Sequence, residues 1–419
     1  MAKRKRRGSG GGRVTPSARV WPEEGSGLPP LEGIVAALEG FTQIGDRSPL
    51  EIELQVSQFL GQLGAGASPP APGEPDHEEL LNGIVELCLH HLEASPPRVV
   101  IDFLWVLDAF DPGWLQWPLR ERLTASSLPA RPAWAMDVGQ ADVRTAHRVE
   151  HETGDGFDIA LVARHRSAPH DHVVAVYVDR TLGGLATDLL VHDDAAEYLR
   201  LSDDADGMWI TDLDPAVAAA TIDDAVDATL AAGVPAAVAD GFSAQWAIVD
   251  HYVSKLPADA DAEALPPPPP ATPGECAAIV DRFLAGLDGM SHRRDRQPLL
   301  DAVSFVAEEL GGDPLRWSAP VTQLILGGWM PLSGFEDDVV ARFPKVLRAF
   351  VPWAHREQGW ADRYLREALD VVRAAEAGEL PGPSQGGRVD ILEQAVAAGV
   401  DLDDEAALDA FLDDYLEDE

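Results

Sequence analysis

The sequence predicts an α+β fold, in which helical segments surround a four-stranded antiparallel meander and an all-α C-terminal domain follows. Three observations lead to this prediction. Apolar residues recur with a helical period over most of the chain, whereas between residues 143 and 192 they alternate as in strands. Five consecutive prolines at 266–270 then separate this part from a second series of helical segments.

The first elements after the amino-terminal tail are two helical segments, at 31–41 and 48–63, which we expect to form a hairpin. The second segment has a clear start signal, because Ser48 can cap a helix that has Pro49 at its first position. Glu51, three residues after Ser48, completes a capping box.

Two further helices are predicted before the strands. Residues 78–94 carry their apolar side chains along one stripe, which is typical of a helix packed on one side. Residues 98–110 are apolar at almost every position, which indicates a helix buried from most directions.

Four alternating runs predict the meander. They span 143–151, 157–165, 172–180 and 185–192. The connections are short and rich in glycine and other turn residues, so consecutive strands should pair antiparallel. The third run is apolar on both faces from Val173 to Val178, which indicates an inner strand covered by helices. Helices that could supply this cover are predicted at 193–201, 215–232 and 243–256.

The segments beyond the prolines all predict helices. They span 274–287, 297–311, 319–330, 336–354 and 359–377. A last amphipathic helix is predicted at 402–416, within a stretch (401–419) that holds ten acidic residues and no basic one. This helix either docks on the body of the protein or offers an acidic and apolar face to a partner.

Composition shifts between these elements predict the domain boundaries. They give a disordered basic tail at 1–30, a helical hairpin at 31–63, a linker at 64–77, an α+β domain at 78–256 with its meander at 143–192, a proline-rich linker at 257–273, an all-α domain at 274–380 and an acidic tail at 381–419.

Charge is strongly segregated along the chain. The formal net charge is −39, yet residues 1–22 hold seven of the 32 basic residues and no acidic one. The rest therefore carries 25 basic against 71 acidic residues, a balance of −46. The run Lys3, Arg4, Lys5, Arg6 and Arg7 can neutralise phosphates without any fold, so residues 1–20 are a candidate site for nucleic acid or an acidic partner. A solubilising tail, or a contact with the acidic body, is the alternative.

The sequence predicts an intracellular, cytoplasmic protein with no membrane partner. No stretch approaches the roughly 20 apolar residues of a membrane-spanning helix, and glycine and serine follow the basic start where a signal peptide would be apolar. The two cysteines, Cys88 and Cys276, lie in apolar helical patterns and are expected to be small buried residues.

Common catalytic and cofactor motifs are missing, including the P-loop, the dinucleotide-binding glycines and paired C-x-x-C, so no cofactor is predicted. The densest polar cluster lies on the meander, which holds six of the twelve histidines. Among them, His170 and His172, with Asp179 and Asp188, are a candidate metal or acid–base site. The alternation of side chains along a strand argues against a common site, because it places His172 and Asp179 on opposite faces of the same strand.

Several motifs resemble an uncharacterised family of bacterial proteins. They are Ser48-Pro-Leu-Glu, Ala175-Val-Tyr-Val-Asp179 followed by Leu182-Gly183 and Asp188, Gly312-Asp-Pro-Leu-Arg-Trp-Ser318, and Phe343-Pro-Lys-Val-Leu-Arg-Ala-Phe350. With the basic tail, the resemblance covers most of residues 45–375. It implies an α-rich architecture with a central meander and no established activity. Similar chains often place histidine or asparagine after the strand aspartate, where this chain has Arg180-Thr181.

Three functional hypotheses follow from the sequence. The leading one is a non-enzymatic intracellular binding or regulatory protein that uses the basic tail and helical protein-contact surfaces. The second is a metal-assisted hydrolase centred on the meander. The third is a scaffold that recruits a partner through the acidic C-terminal helix at 402–416.

Overall fold

The computed structural model describes most of the chain between residues 38 and 380. The described ranges are 38–42, 44–64, 77–91, 97–110, 131–205, 207–232, 239–257, 262–310 and 312–380. The predictions made for the basic tail, for the linker at 65–76 and for the acidic tail with its amphipathic helix lie outside these residues.

An antiparallel sheet of five strands lies at the centre, in the order β4-β3-β2-β1-β5. Its first four strands are the predicted meander: β1 (Asp142–His151), β2 (Gly156–Arg164), β3 (His172–Asp179) and β4 (Leu185–His192). The α+β class is therefore confirmed, but the number of strands predicted is wrong. A fifth strand, β5 (Met208–Leu213), pairs with the free edge of β1.

The fifth strand escaped sequence analysis because its pattern is short and weak. It has six residues and directly follows the acidic stretch at 202–207. Met208 and Ile210 contact the core, while Trp209 and Thr211 are exposed. Its partner strand ends more than fifty residues earlier, with Met208 opposite His151, so the pairing that defines it is not local in sequence.

Helices cover both faces of the sheet, which confirms β3 as a doubly buried inner strand. On one face, Val174 and Val176 pack with α5 (Pro215–Ala232) and α6 (Ala239–Val253). On the other, Val173 and Ala175 pack with α4 (Ala195–Asp204). Because β3 is apolar at successive positions, it requires cover on both sides.

In the described residues before the sheet there are three α-helices: α1 (Pro49–Gln62), α2 (His77–His91) and α3 (Arg98–Phe110). The capping box predicted for α1 is present, since the Ser48 hydroxyl accepts from the Glu51 amide and the Glu51 carboxylate accepts from the Ser48 amide. Within the predicted segment 31–41, the described part is a 3₁₀ turn at Leu38–Phe41. The rings of Phe41, Phe59 and Phe103 meet edge to face at 5.1–5.7 Å.

Helix α1 packs closely on α6, which itself lies on the sheet. The Ser57 hydroxyl donates to the carbonyl of Ala244 at 2.9 Å. One turn later, a Cβ atom at Gly61 would lie only 2.3 Å from the carbonyl oxygen of Ser243. The small residues of α1 therefore allow the two helix backbones to approach, and they fix three layers in the order sheet, α6, α1.

The C-terminal part is all-α over its described residues, 273–310 and 312–380. Its helices are α7 (Pro273–Ala285), α8 (Arg296–Glu309), α9 (Ala319–Gln323), α10 (Met330–Leu332), α11 (Asp337–Gln358) and α12 (Asp362–Ala377). A π-helical stretch, Leu324–Trp329, joins α9 to α10 where the sequence predicts one regular helix. Phe283, Trp317 and Phe350 form the centre of its core.

The longest described helix, α11, is amphipathic, with buried Phe343 and Phe350 on one side and charged residues on the other. It also contains two prolines, Pro344 and Pro352. Among the residues that the structure describes, no helix is both long and apolar enough to cross a membrane.

The cysteines belong to different cores, Cys88 in α2 and Cys276 in α7. Both are free and buried, as expected from their apolar surroundings in sequence. Burial raises the pKa of the Cys88 thiol to about 12. A thiol held protonated in this way is a poor nucleophile.

The proline-rich linker is attached to the body at both of its described ends. The Leu265 amide donates to the Thr221 hydroxyl of α5 at 2.9 Å. Near the start of α7, the Ala271 amide donates to the carbonyl of Gly312 at 3.1 Å. The linker therefore lies along the surface between the sheet and the C-terminal helices.

The turn between β1 and β2 contacts the C-terminal helices directly. Arg316 is buried and donates through Nη1 to the carbonyl of Gly154 at 2.6 Å. Beside it, the Ser318 hydroxyl donates to the carboxylate of Asp155 at 2.7 Å. Burial raises the pKa of Asp155, and the Ser318 bond and the charge of Arg316 partly offset this.

Candidate functional site

The structure separates the four residues of the predicted metal or acid–base site. His172 and Asp179 lie at opposite ends of β3, about 23 Å apart at the usual rise of a strand. Asp188 is exposed on β4, opposite Tyr177, and His170 is exposed in the turn before β3. Among the described residues, no three His, Cys, Asp or Glu side chains are grouped so that they could hold a metal ion.

Two of these residues, Asp179 and His172, make hydrogen bonds that have a structural role. The Asp179 carboxylate accepts from the amide of Thr181 at 2.7 Å and from its hydroxyl at 2.6 Å, which caps the 3₁₀ turn after β3. His172 is buried on the face that packs against α6, and its partner is Tyr252. The parity expected from the sequence is therefore correct, and it directs His172 away from Asp179.

His172 belongs to a buried polar cluster around Glu53 of α1. His172 Nε2 donates to the Tyr252 hydroxyl at 2.8 Å, and that hydroxyl donates to Glu53 Oε2 at 2.7 Å. The other oxygen, Oε1, accepts from His165 Nε2 at 2.8 Å and from the amide of Gly139 at 2.7 Å. The chain of donors is continuous, so both carboxylate oxygens are satisfied.

The electrostatics of this Glu53 cluster keep the carboxylate ionised. Burial alone would raise the pKa of Glu53, but the hydrogen bond and charge of His165, with the Tyr252 hydroxyl, bring it down to about 2. Burial lowers the pKa of His172 to about 4, and it does the same for His251. His172 is therefore neutral at pH 7 and can donate through only one ring nitrogen, as its bond to Tyr252 requires.

The Glu53 cluster is closed to solvent, because its four side chains are between 0 and 2% exposed. A ligand has no route to it, so we assign it a structural role. Sequence reasoning missed it because Glu53 joins residues 112 and 199 positions away. The available signal was a glutamate on the apolar stripe of α1, between Leu50 and Val56.

An open groove of about 450 Å³ lies between α4 and α12, beside the ends of β1 and β5. Most of its lining surface is apolar. The side chains that define it are His151, Tyr198, Leu201, Met208, Arg363 and Tyr364. We call it the α4–α12 groove.

A hydrogen-bonded pair, His151 and Tyr364, joins the sheet to α12 at the groove. The amide and the hydroxyl of Thr153 both lie within hydrogen-bond distance of His151 Nδ1, at 3.2 and 2.9 Å. Since a backbone amide can only donate, Nδ1 is the acceptor and Nε2 carries the proton. That Nε2 proton is donated to the Tyr364 hydroxyl oxygen at 2.7 Å.

Gly207 makes this close contact between β5 and α12 feasible. Its φ angle is +81°, a conformation that other residues rarely adopt. A Cβ atom here would lie 2.5 Å from the Tyr364 hydroxyl and 3.0 Å from the carboxyl carbon of Glu152. Arg363, next to Tyr364, stacks over the tyrosine ring at 4.3 Å and pairs with Glu152 at 3.9 Å.

The opposite wall of the groove is α4. Its Tyr198 is anchored by donating to the carboxylate of Asp158 at 3.1 Å, and burial raises the pKa of Asp158 to about 6. One turn along α4, Leu201 is half exposed, and the Ser202 hydroxyl donates to the carbonyl of Tyr198 at 3.0 Å. The wall thus presents an exposed leucine beside a fixed aromatic ring.

This arrangement suits binding of an apolar group. Both ring nitrogens of His151 already have partners, and so does the Ser202 hydroxyl. Of the apolar side chains in the lining, Leu201 is half exposed and Met208 partly exposed, whereas Tyr198 and Tyr364 are largely buried. Burial of such surface by a partner is favourable because apolar area leaves water.

Sequence analysis identified only part of this groove. His151 was among the six histidines of the meander, but its partner Tyr364 lies 213 residues later in another helix. Tyr198 and Leu201 gave no functional signal, because an aromatic and an aliphatic residue on one helix normally indicate core packing. That Leu201 stays half exposed, in a groove beside α12, is known only from the folded structure.

Comparisons with known proteins add no assignment. No protein-family model matches the sequence, and no curated protein or solved structure matches it either. The resemblance to an uncharacterised bacterial family therefore stays a prediction.

Proposed function

We propose that this protein is a non-catalytic, cytoplasmic binding protein whose α4–α12 groove receives an apolar face of an amphipathic, acid-rich helix. The observation that carries the proposal is an open groove of about 450 Å³ whose lining is mostly apolar. The polar groups at its floor are already engaged with one another. The basic tail, Lys3–Arg7, is a second contact point, for nucleic acid or an acidic partner.

The shape and chemistry of the groove favour a helix as the ligand. Two helices form its walls, and an amphipathic helix buries residues at spacings of three and four in such a groove. Arg363 and His192 line it, with Glu367 as an opposing charge. Arg363 is paired with Glu152 at 3.9 Å, so the charge preference rests on Arg366, which is exposed one turn further along α12 and favours acidic residues beside the apolar face of the ligand.

The metal-assisted hydrolase gains no support from the placement of its residues. Its candidate ligands His170, His172, Asp179 and Asp188 lie on two strands and a turn, and His172 is engaged with Tyr252 in the core. The scaffold hypothesis concerns residues 402–416, which lie outside the described residues. It remains compatible with a protein that binds helices.

Selection from a random library of 16-residue peptides on the full-length chain tests this proposal. We expect selected peptides to share apolar residues at i, i+3, i+4 and i+7. The affinity of each for the wild-type chain and for Leu201→Arg would then be measured by fluorescence anisotropy. Since Leu201 is 50% exposed, the substitution should leave the fold intact and weaken binding at least about tenfold, which is 1.4 kcal/mol.

The matched control is Leu287→Arg, because Leu287 is 89% exposed and lies in the connection after α7. Binding to this variant should equal that of the wild type. The proposal is wrong if no peptide is selected, or if Leu201→Arg and Leu287→Arg bind the selected peptides equally well.

A further inference from the structure

We infer that the α4–α12 groove is occupied by the chain's own C-terminal segment, residues 402–416, which a binding partner must displace. This inference rests on the proposed function, because it names the first ligand of the same groove. It makes the protein self-inhibited in its resting state.

The chemistry of the segment matches the groove. Leu408, Phe411, Leu412 and Tyr415 follow one another at i, i+3, i+4 and i+7, the spacing of a single helix face. Residues 401–419 add ten acidic residues and no basic one. The apolar face fits a lining in which Leu201 is half exposed and Met208 partly exposed, and the acidic residues suit the exposed Arg366 of α12.

Cations lie along the α12 wall. Arg363 lines the groove, and Arg366 is exposed one turn further along the helix. Without this segment, residues 23–400 still carry 25 basic against 61 acidic residues, a balance of −36, so an acidic segment is repelled from most of that surface. Arg363, which pairs with Glu152, and the exposed Arg366 reduce this repulsion along the α12 wall, and Glu367 opposes them.

The connection is long enough. The structure describes the chain as far as residue 380, just after the end of α12 at Ala377. From there back to Tyr364 is about 20 Å along the helix, at 1.5 Å per residue. Residues 381–401 can extend up to about 70 Å. The segment can therefore reach the groove that its own preceding helix forms.

Attachment to the same chain favours this ligand over a free one. A tethered segment that can reach its site has an effective concentration in the millimolar range. A free peptide at micromolar concentration, binding with equal intrinsic affinity, is therefore at a disadvantage of about a thousandfold. A partner must bind more tightly or act at a second point, such as the basic tail.

Disulfide trapping in the full-length chain tests the inference. Leu201→Cys combined with Phe411→Cys should close an intramolecular disulfide under mild oxidation. The native thiols are both buried and should not interfere. The control pair is Gln58→Cys with Phe411→Cys, because Gln58 is exposed on α1, on the other side of the sheet from α4. We expect the first pair to close at least about tenfold faster.

Equal closure rates for the two pairs would overturn the inference. A disulfide between the cysteines introduced at positions 201 and 411 that forms only between two chains would also overturn it, because that product indicates exchange of the segment between molecules. The oligomeric state of the oxidised product, measured at two protein concentrations, separates these outcomes.

A second measurement separates this inference from the proposed function. The double variant Phe411→Asp, Leu412→Asp should bind the library-selected peptides about tenfold more tightly than the wild type, since the groove is vacated. If peptides bind the groove but the double variant gives no gain, the self-inhibition is wrong and the binding function stands. If no peptide binds either protein, the binding function itself is wrong.

Discussion

Glu53 is a carboxylate with no exposure to water, and its position depends on three other residues. A buried ion is costly unless its hydrogen bonds are complete. Here Oε1 accepts hydrogen bonds from two donors and Oε2 from one, and all three donors lie in distant parts of the chain. The cluster joins α1, the end of β2, β3 and α6. It therefore holds together elements that the apolar core alone would align less strictly.

We predict that Glu53→Gln destabilises the protein by about 3 kcal/mol, because a carboxamide has only one acceptor oxygen and leaves buried donors of the cluster without an acceptor. Urea denaturation at pH 7 measures the loss. The matched control is Glu309→Gln, the same change at an exposed helix position, which should alter stability by less than about 0.5 kcal/mol. Equal effects from the two substitutions would contradict a structural role for the cluster.

Asp250 gives a second prediction at this scale. Burial, together with Asp223, raises the pKa of Asp250 to about 6. The folded state therefore holds a proton that the unfolded chain releases near pH 4, and ionisation above pH 6 costs stability. Asp250→Asn should stabilise the protein at pH 7–8 by up to about 3 kcal/mol, and this gain should disappear as the pH falls to 4.

Thermal denaturation across pH 4–8 checks this sign. Asp227→Asn, at an exposed position of α5, provides the control and should show a much smaller, nearly constant difference from the wild type. A gain from Asp250→Asn that grows toward acid pH would show that the carboxylate is not destabilising when ionised.

At the scale of elements, the pairing of α1 with α6 depends on small side chains. We predict that Gly61→Ala destabilises the protein by about 3 kcal/mol, because its Cβ atom would lie 2.3 Å from a backbone oxygen of α6. Gly241→Ala is the matched control on the partner helix, since nothing lies within 4 Å of a Cβ there. It should be neutral or stabilising by up to about 1 kcal/mol. Similar losses from both substitutions would mean that helix propensity, not close packing, explains Gly61.

Elements with strong local signals were predicted well, and those defined by distant partners were not. Helix α3 at 98–110 and helix α5 at 215–232 have the predicted bounds, because periodicity and caps lie within the segment. Strand β5 was missed, since its order comes from pairing with β1. The groove was missed for the same reason, because its walls are more than 150 residues apart in sequence.

At the scale of the whole molecule, the separation of charge is the main feature left to test. We predict that deletion of residues 1–20 abolishes binding to double-stranded DNA. With five phosphates neutralised, the logarithm of the association constant of the full chain should fall with the logarithm of salt concentration at a slope of about −4.5. Fluorescence anisotropy with a labelled duplex at several salt concentrations measures both quantities.

A second variant keeps the length of the chain and replaces five basic residues by serine: Lys3, Arg4, Lys5, Arg6 and Arg7. Like the deletion, it should not bind double-stranded DNA. If both variants bind as the full chain does, the basic tail is not the nucleic-acid contact. Groove binding of peptides would be unaffected by that result.

The attachment of the proline-rich linker limits how copies of this protein can associate. Exchange of identical parts between molecules requires a connection that can swing out, and it is promoted by hinges under strain. Here the connection is held on Thr221 at one end and on Gly312 at the other, and its prolines resist bending. The C-terminal helices are therefore kept on their own sheet, and domain-swapped dimers are disfavoured.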